Sequence, residues 1–157
     1  MIVTRRISRA AACMTVVGIA AVTAALSAAP ADAAPGRSLR VEQVPNVGIT
    51  VNDNGISGGF VANLAATATT PGTARLTILP WETACRGNLA NARAAVTWRN
   101  EQTNRTDDAV FPVCRNGKPA PGPDVATGVG RISFTTTIIG RTDQAFTVVP
   151  GTGWFYR

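Results

Sequence analysis

From about residue 39 onward, apolar and polar side chains alternate with a period of two, the spacing of strands that bury one face. The clearest run is 131–139, where Ile132, Phe134, Thr136 and Ile138 share a face. In 75–79, Leu76 and Ile78 oppose Arg75, Thr77 and Leu79, and in 92–99, Ala94, Val96 and Trp98 alternate with Ala95, Thr97 and Arg99. Residues 89–95 are rich in helix-favouring alanine, leucine and arginine, but the alternation that follows makes 92–99 a strand. Further strands are expected at 39–44, 47–51, 60–69, 109–114 and 145–149, and in Trp154-Phe155-Tyr156.

Turn signals divide these runs. Pro45-Asn46 interrupts the first, Asn54-Gly55 predicts a tight hairpin, Gly58-Gly59 a bulge or bend, and Pro71-Gly72 a turn. Pro80 ends the strand at 75–79, and residues 81–88 read as a loop carrying the first of two paired cysteines. The wholly polar stretch 100–108 reads as a connection, and 140–144 as a turn. Pro112 cannot donate a ladder hydrogen bond, which puts 109–114 at a sheet edge or a bulge. Residues 116–124 contain three prolines and two glycines and predict an extended surface loop. About eight short strands with regular turn signals and no amphipathic helix imply an all-β, single-domain antiparallel β-sandwich.

The beginning of the chain differs. Arg5, Arg6 and Arg9 precede an alanine-rich apolar stretch, 10–29, and Ala31-Asp32-Ala33 supplies the small residues that a signal peptidase cuts after. Residues 1–33 therefore read as a bacterial secretory signal peptide cleaved between Ala33 and Ala34, leaving no stable membrane anchor. Ser8 and Arg9 stand where a twin-arginine signal carries apolar residues, which favours the general secretory route. Without this leader the chain of 157 residues keeps 124, one domain's worth (34–157), with 12 basic and 8 acidic side chains. The arginines scatter from Arg37 to Arg157 without a run, so no nucleic-acid footprint is expected.

Cys13 leaves with the leader, so only Cys85 and Cys114 remain, and an exported chain oxidises them to one disulfide. Two thiols in a chain without histidine fall short of the four ligands of a structural zinc site. The spacing from Cys85 to Trp98 resembles that of immunoglobulin domains, in which a cysteine precedes a core tryptophan by a similar distance. That resemblance implies an immunoglobulin-like architecture; Cys114 comes too early for the late strand that completes the family's inter-sheet bridge.

Candidate chemistry is sparse. A chain without histidine has no Ser-His-Asp or Cys-His machinery, and a bridged cysteine is no nucleophile. Asp107-Asp108 could pair with Glu82, Glu101, Asp124 or Asp143 across a cleft, but two aspartates in a polar turn read first as solvated turn formers. Lys118 has only Ser38, Ser57 and Ser133 as possible dyad partners. Gly128-Val129-Gly130 opens onto a strand, and Asn52 to Gly55 lacks the later glutamate of a calcium loop, so neither a metal nor a cofactor is expected. Asn104-Arg105-Thr106 matches the glycosylation pattern and reads as a chance match.

Trp81, Trp154, Phe155 and Tyr156 give the one binding hint, since exposed aromatics stack on sugars or dock into partners. The leading expectation is a secreted, non-enzymatic protein that binds an extracellular protein or glycan. A carbohydrate- or cell-envelope-binding module would present these aromatics as a planar row. A small secreted hydrolase would instead bring two carboxylates within about 5 to 10 Å of each other.

Overall fold

A computed structural model describes residues 34–81, 83–140 and 145–157. The expected leader, with Ala33 at its cleavage site, lies outside these residues, as do Glu82, Asp143 and most of the turn at 140–144. The described residues are all-β. They form β1 (Val41–Val44), β2 (Asn46–Asn52), β3 (Gly55–Ala68), β4 (Ala74–Pro80), β5 (Arg93–Asn100), β6 (Thr106–Pro112), β7 (Cys114–Arg115), β8 (Lys118–Pro119), β9 (Asp124–Val125), β10 (Arg131–Ile139), β11 (Ala145–Val149) and β12 (Gly151–Tyr156). One 3-10 turn, Ala84–Arg86, stands between β4 and β5. No helix among the described residues is long and apolar enough to cross a membrane.

Ten strands make one antiparallel sheet, and β7 and β8 form a separate hairpin. Along the sheet, β6 pairs with β5 and β5 with β10; from β10 one arm runs through β12 to β1 and the other through β11 to β2, β3, β4 and β9. The alternation seen in the sequence becomes burial: Leu64, Leu76, Ile78, Val96, Trp98, Ile132, Phe134 and Phe155 join one hydrophobic cluster. Strands from both halves of the path contribute to that cluster, so the sheet curls around its own inner face. Trp98 is core, as its place in the alternation requires, and Arg105 lies over its ring at 5.8 Å.

Two prolines interrupt neighbouring strands close together. Val44 pairs with Thr152 and Val47 with Val149, a register that sets Pro45 opposite Gly151 and Pro150 opposite Asn46, one residue apart along the ladder. Neither can donate a ladder hydrogen bond, and side chains fill the gap. Buried Asn46 donates through Nδ2 to the Thr136 carbonyl at 2.7 Å, and its Oδ1 accepts from the Thr147 hydroxyl at 3.1 Å. Gln43 acts as a substitute peptide: its amide donates to the Leu64 carbonyl and accepts from the Leu64 N–H, both at 2.8 Å. It thereby joins β1 to β3 where their backbones are not paired.

Four expectations change. The described residues hold twelve strands, because 116–124 is not one extended loop. Asn116 and Gly117 adopt φ of +53° and +72° between Arg115 and its partner Lys118, a two-residue hairpin of the kind Asn-Gly favours. Asp124–Val125 then adds a short strand to β4. Asp107 and Asp108 lie in β6 and not in a turn, since Thr106 already pairs with Arg99. In the first hairpin the turn residues are Asp53 and Asn54, and the positive φ, +105°, falls on Gly55. The bulge lies one residue before the expected Gly58-Gly59, which pair regularly: Thr50 pairs with Gly58 and Val51 with Ile56, leaving Ser57 as the extra residue. Pro112 stands on an edge strand, as its missing N–H demands.

Cys85 and Cys114 are bridged, with Cα atoms 5.4 Å apart, and both are buried in the core cluster. Closing this loop of 29 residues stabilises the fold by roughly 3 to 4 kcal/mol in the chain-entropy model. Reduction with dithiothreitol should lower the melting midpoint by about 10 °C in calorimetry; an unchanged midpoint would show that the bridge is not structural. A second tie lies at Arg157, buried at 2 % exposure, whose guanidinium donates to the carbonyls of Thr73, at 2.9 Å, and of Thr70. Its backbone also exchanges two hydrogen bonds with Gly130. Arg157→Ala should cost about 2 kcal/mol in urea unfolding, because it strips charged donors from two turn carbonyls. A loss under about 0.5 kcal/mol would place those carbonyls in water already.

Candidate functional site

The aromatic residues marked in the sequence separate into three environments. Phe155 points inward at 0 % exposure and packs 6.2 Å from Phe134, centroid to centroid, so it belongs to the core and leaves the candidate surface. Its neighbours point the other way, as strand alternation requires. Trp154 is half-buried and Tyr156 is exposed; their rings meet edge to face at 5.4 Å and 75°. Arg131 lies over the Trp154 ring at 4.7 Å, and its Nε is 3.4 Å from the Glu101 carboxylate. One face of the Trp154 indole is therefore occupied by a guanidinium, and the pair makes no planar row.

Trp81 stands apart from them, just past the end of β4, with its side chain 74 % exposed. Its backbone is nevertheless fixed. The Trp81 N–H donates to the Val61 carbonyl at 3.3 Å, and its carbonyl accepts from Ala84 at 2.9 Å, which starts the 3-10 turn. Cys85 lies in that turn, so the disulfide ties the segment carrying Trp81 to the start of β7.

The exposed indole forms a wall shared by two hollows. One, of about 300 Å³, is lined by Val47, Val61 and Phe60 over a floor of Gly48 and Gly59. The other, of about 230 Å³, continues past Gly59 to Thr83, Gly87 and Asn88. The floor needs glycine: a Cβ on Gly48 would overlap the Phe60 ring and the Phe146 carbonyl. Asn88 also lines a third hollow with Thr50, Asn52 and Ser57. Its Nδ2 donates to the Thr50 hydroxyl at 3.1 Å, and the Ser57 hydroxyl donates to the same oxygen at 3.3 Å. The bulge between β2 and β3 brings Ser57 to that position. Neither Ser57 nor Asn88 was legible as a site residue, because the bulge and the turn that place them depend on pairing.

A second kind of surface adjoins this one. Pro80 lines a cleft of about 570 Å³ with Arg86, Lys118, Asn116 and Pro119 on the β7–β8 hairpin, and its described lining is cationic.

The acidic residues singled out in the sequence are dispersed. Asp107 and Asp108, being consecutive in a strand, face opposite sides of the sheet. Asp108 accepts the Thr97 hydroxyl at 2.6 Å. Asp124 grips Arg75 through two hydrogen bonds of 2.9 Å, and those bonds and its charge hold the guanidinium above its ordinary pKa. Glu101 faces Arg131. Among the described residues no three His, Cys, Asp or Glu side chains gather as metal ligands. Lys118 lies on the β8 side of its hairpin, Ser57 in the bulge, and Ser133 donates to the Arg99 carbonyl at 3.4 Å. Asn104 is exposed in the β5–β6 turn at φ +58°, where its Oδ1 accepts from Arg99 at 2.6 Å.

Comparison of the chain with protein-family models, with curated proteins and with solved structures found no match.

Proposed function

We propose that this chain is a non-enzymatic binding module that a bacterium exports through residues 1–33, cuts between Ala33 and Ala34, and uses outside the cell. The curled sheet then serves as a two-layer sandwich of immunoglobulin-like architecture, with the inner faces of β3 and β4 packed over those of β5 and β10. One observation carries the reading: Trp81, 74 % exposed, stands on a backbone held by hydrogen bonds and by the adjoining disulfide. A large aromatic left in water costs solubility, and a rigid mount limits the entropy lost when it is covered. A side chain that served only packing would have turned toward the core beside Phe60.

The full chain produced in a bacterial host should appear in the culture fluid or the envelope with Ala34 as its first residue; a retained leader would overturn export with cleavage. The purified product should be held by the insoluble envelope of the producing cells or by polymers they secrete. Trp81→Ala should cut that retention about tenfold while leaving the melting midpoint in place, because the side chain makes little core contact. Equal retention of both proteins, or retention of neither, would remove Trp81 as the binding residue and the reading with it.

A further inference from the structure

We propose that the groove walled by Trp81 and continued by Asn88 and Ser57 binds a neutral glycan chain. The inference rests on the binding-module reading and adds the ligand class.

A pyranose ring has an apolar C–H face and a rim of uncharged hydroxyls. A site for it therefore needs an exposed aromatic face, short neutral donors and acceptors beside it, and room for close approach. All three occur together here. The Trp81 indole supplies the face, and it borders both the Val47–Val61 hollow and the one that reaches Asn88. Gly59 and Gly87, without side chains, let a ring come close to the backbone. Beyond them Asn88 and Ser57 offer an amide and a hydroxyl, both anchored on Thr50. An amide carries two N–H donors and an acceptor, so the bond from Asn88 to Thr50 orients the group and leaves polar capacity facing the groove.

The described lining also bears on the ligand class. No charged side chain is among the described residues that line these three hollows. The cations lie on the other side of Pro80, where Arg86 and Lys118 line their own cleft. An anionic polymer would seat there, away from the indole. A protein partner would draw on the apolar wall of Val47, Val61 and Phe60 beside Trp81, whereas the amide and hydroxyl that continue the groove match the rim of a sugar. The Trp154–Tyr156 pair is a poorer sugar platform, since Arg131 covers an indole face.

The test uses the protein secreted from the full chain, titrated with cellotetraose, xylotetraose, mannotetraose and chitotetraose, with polygalacturonate as the anionic probe. Calorimetry and tryptophan emission give the readouts. At least one neutral tetraose should bind and shift the emission. Trp81→Ala should weaken that binding about tenfold, Trp81→Phe should recover part of it, and Asn88→Ala and Ser57→Ala should each weaken it several-fold. Arg86→Ala with Lys118→Ala should leave it unchanged. Saturation by none of the tetraoses, or equal affinity in Trp81→Ala, would overturn the glycan assignment. So would binding of polygalacturonate alone that disappears with Arg86 and Lys118. If Trp81→Ala still loses retention on the envelope while no tetraose binds, the glycan assignment falls and the binding module stands. If neither depends on Trp81, both fall.

Discussion

Two prolines that interrupt neighbouring strands within one residue of each other shape this sheet. A sheet of this width cannot stay flat and bury its apolar face, so it must curl, and a curl needs a place where the hydrogen-bond ladder yields. Pro45 and Pro150 supply that place, because neither has an N–H to give. The interruption would leave buried carbonyls unpaired if nothing replaced the ladder. Asn46, Gln43, Thr136 and Thr147 do so from their side chains, and Asn46 and Thr136 are buried for that purpose. Gly151 makes the junction possible, since a Cβ there would press on the Thr136 hydroxyl and on Asn46. The apolar cluster and this polar seam therefore depend on each other: the bend closes the core, and burial in the closed structure makes the seam's hydrogen bonds matter.

The candidate groove lies on the far side of the same arrangement. β2 runs from the seam at Asn46 to the hairpin at Asp53, so the bend that starts β2 also sets how β2 lies against β3. Val47 and Gly48, immediately after the seam, form one end of the groove; Thr50 and the bulged Ser57 form the other. The disulfide adds the opposite wall by fixing the 3-10 turn next to Trp81. Strength and exposure are thus separated along a few residues: Cys85 is buried in the cluster while Trp81, four positions earlier, stands in water.

Much of this was legible from alternation and punctuation, and the misses share a cause. The faces of β4, β5 and β10 follow directly from Leu76-Ile78, Ala94-Val96-Trp98 and Ile132-Phe134-Ile138, since burial on a strand is a property of its own sequence. The disulfide follows from counting. Pro45 was visible as an interruption, but that Pro150 interrupts the neighbouring strand one residue away is a matter of register, which no single strand contains. The Asn116-Gly117 hairpin carried the same dipeptide signal as Asn54-Gly55 and was hidden by the prolines around it. Asp107-Asp108 reads as a turn from its charge alone; on an edge strand, charged residues are tolerated and discourage pairing with another chain. Trp81 was visible as an aromatic beside proline, whereas Ser57 and Asn88 were not, because a bulge and a turn bring them there.

Exposure alone does not distinguish a binding residue from an accident of the surface, and several apolar side chains here are exposed. Val44 stands exposed on its strand, where a single hydrophobic residue carries no functional meaning, and Val110 and Ile139 line a separate hollow of about 460 Å³ with Asn91 and Arg93. Trp81 differs in what surrounds it. Its own N–H and carbonyl are both hydrogen-bonded, Gly59 and Gly87 line the hollow beside it, and that hollow continues to the Asn88 amide, which Thr50 orients. Gly48 is imposed by the Phe60 ring and the Phe146 carbonyl packed against it, whereas holding Ser57 in a bulge forgoes a ladder pairing. The coincidence of that bulge with one exposed indole is what singles this groove out among the hollows of the described surface.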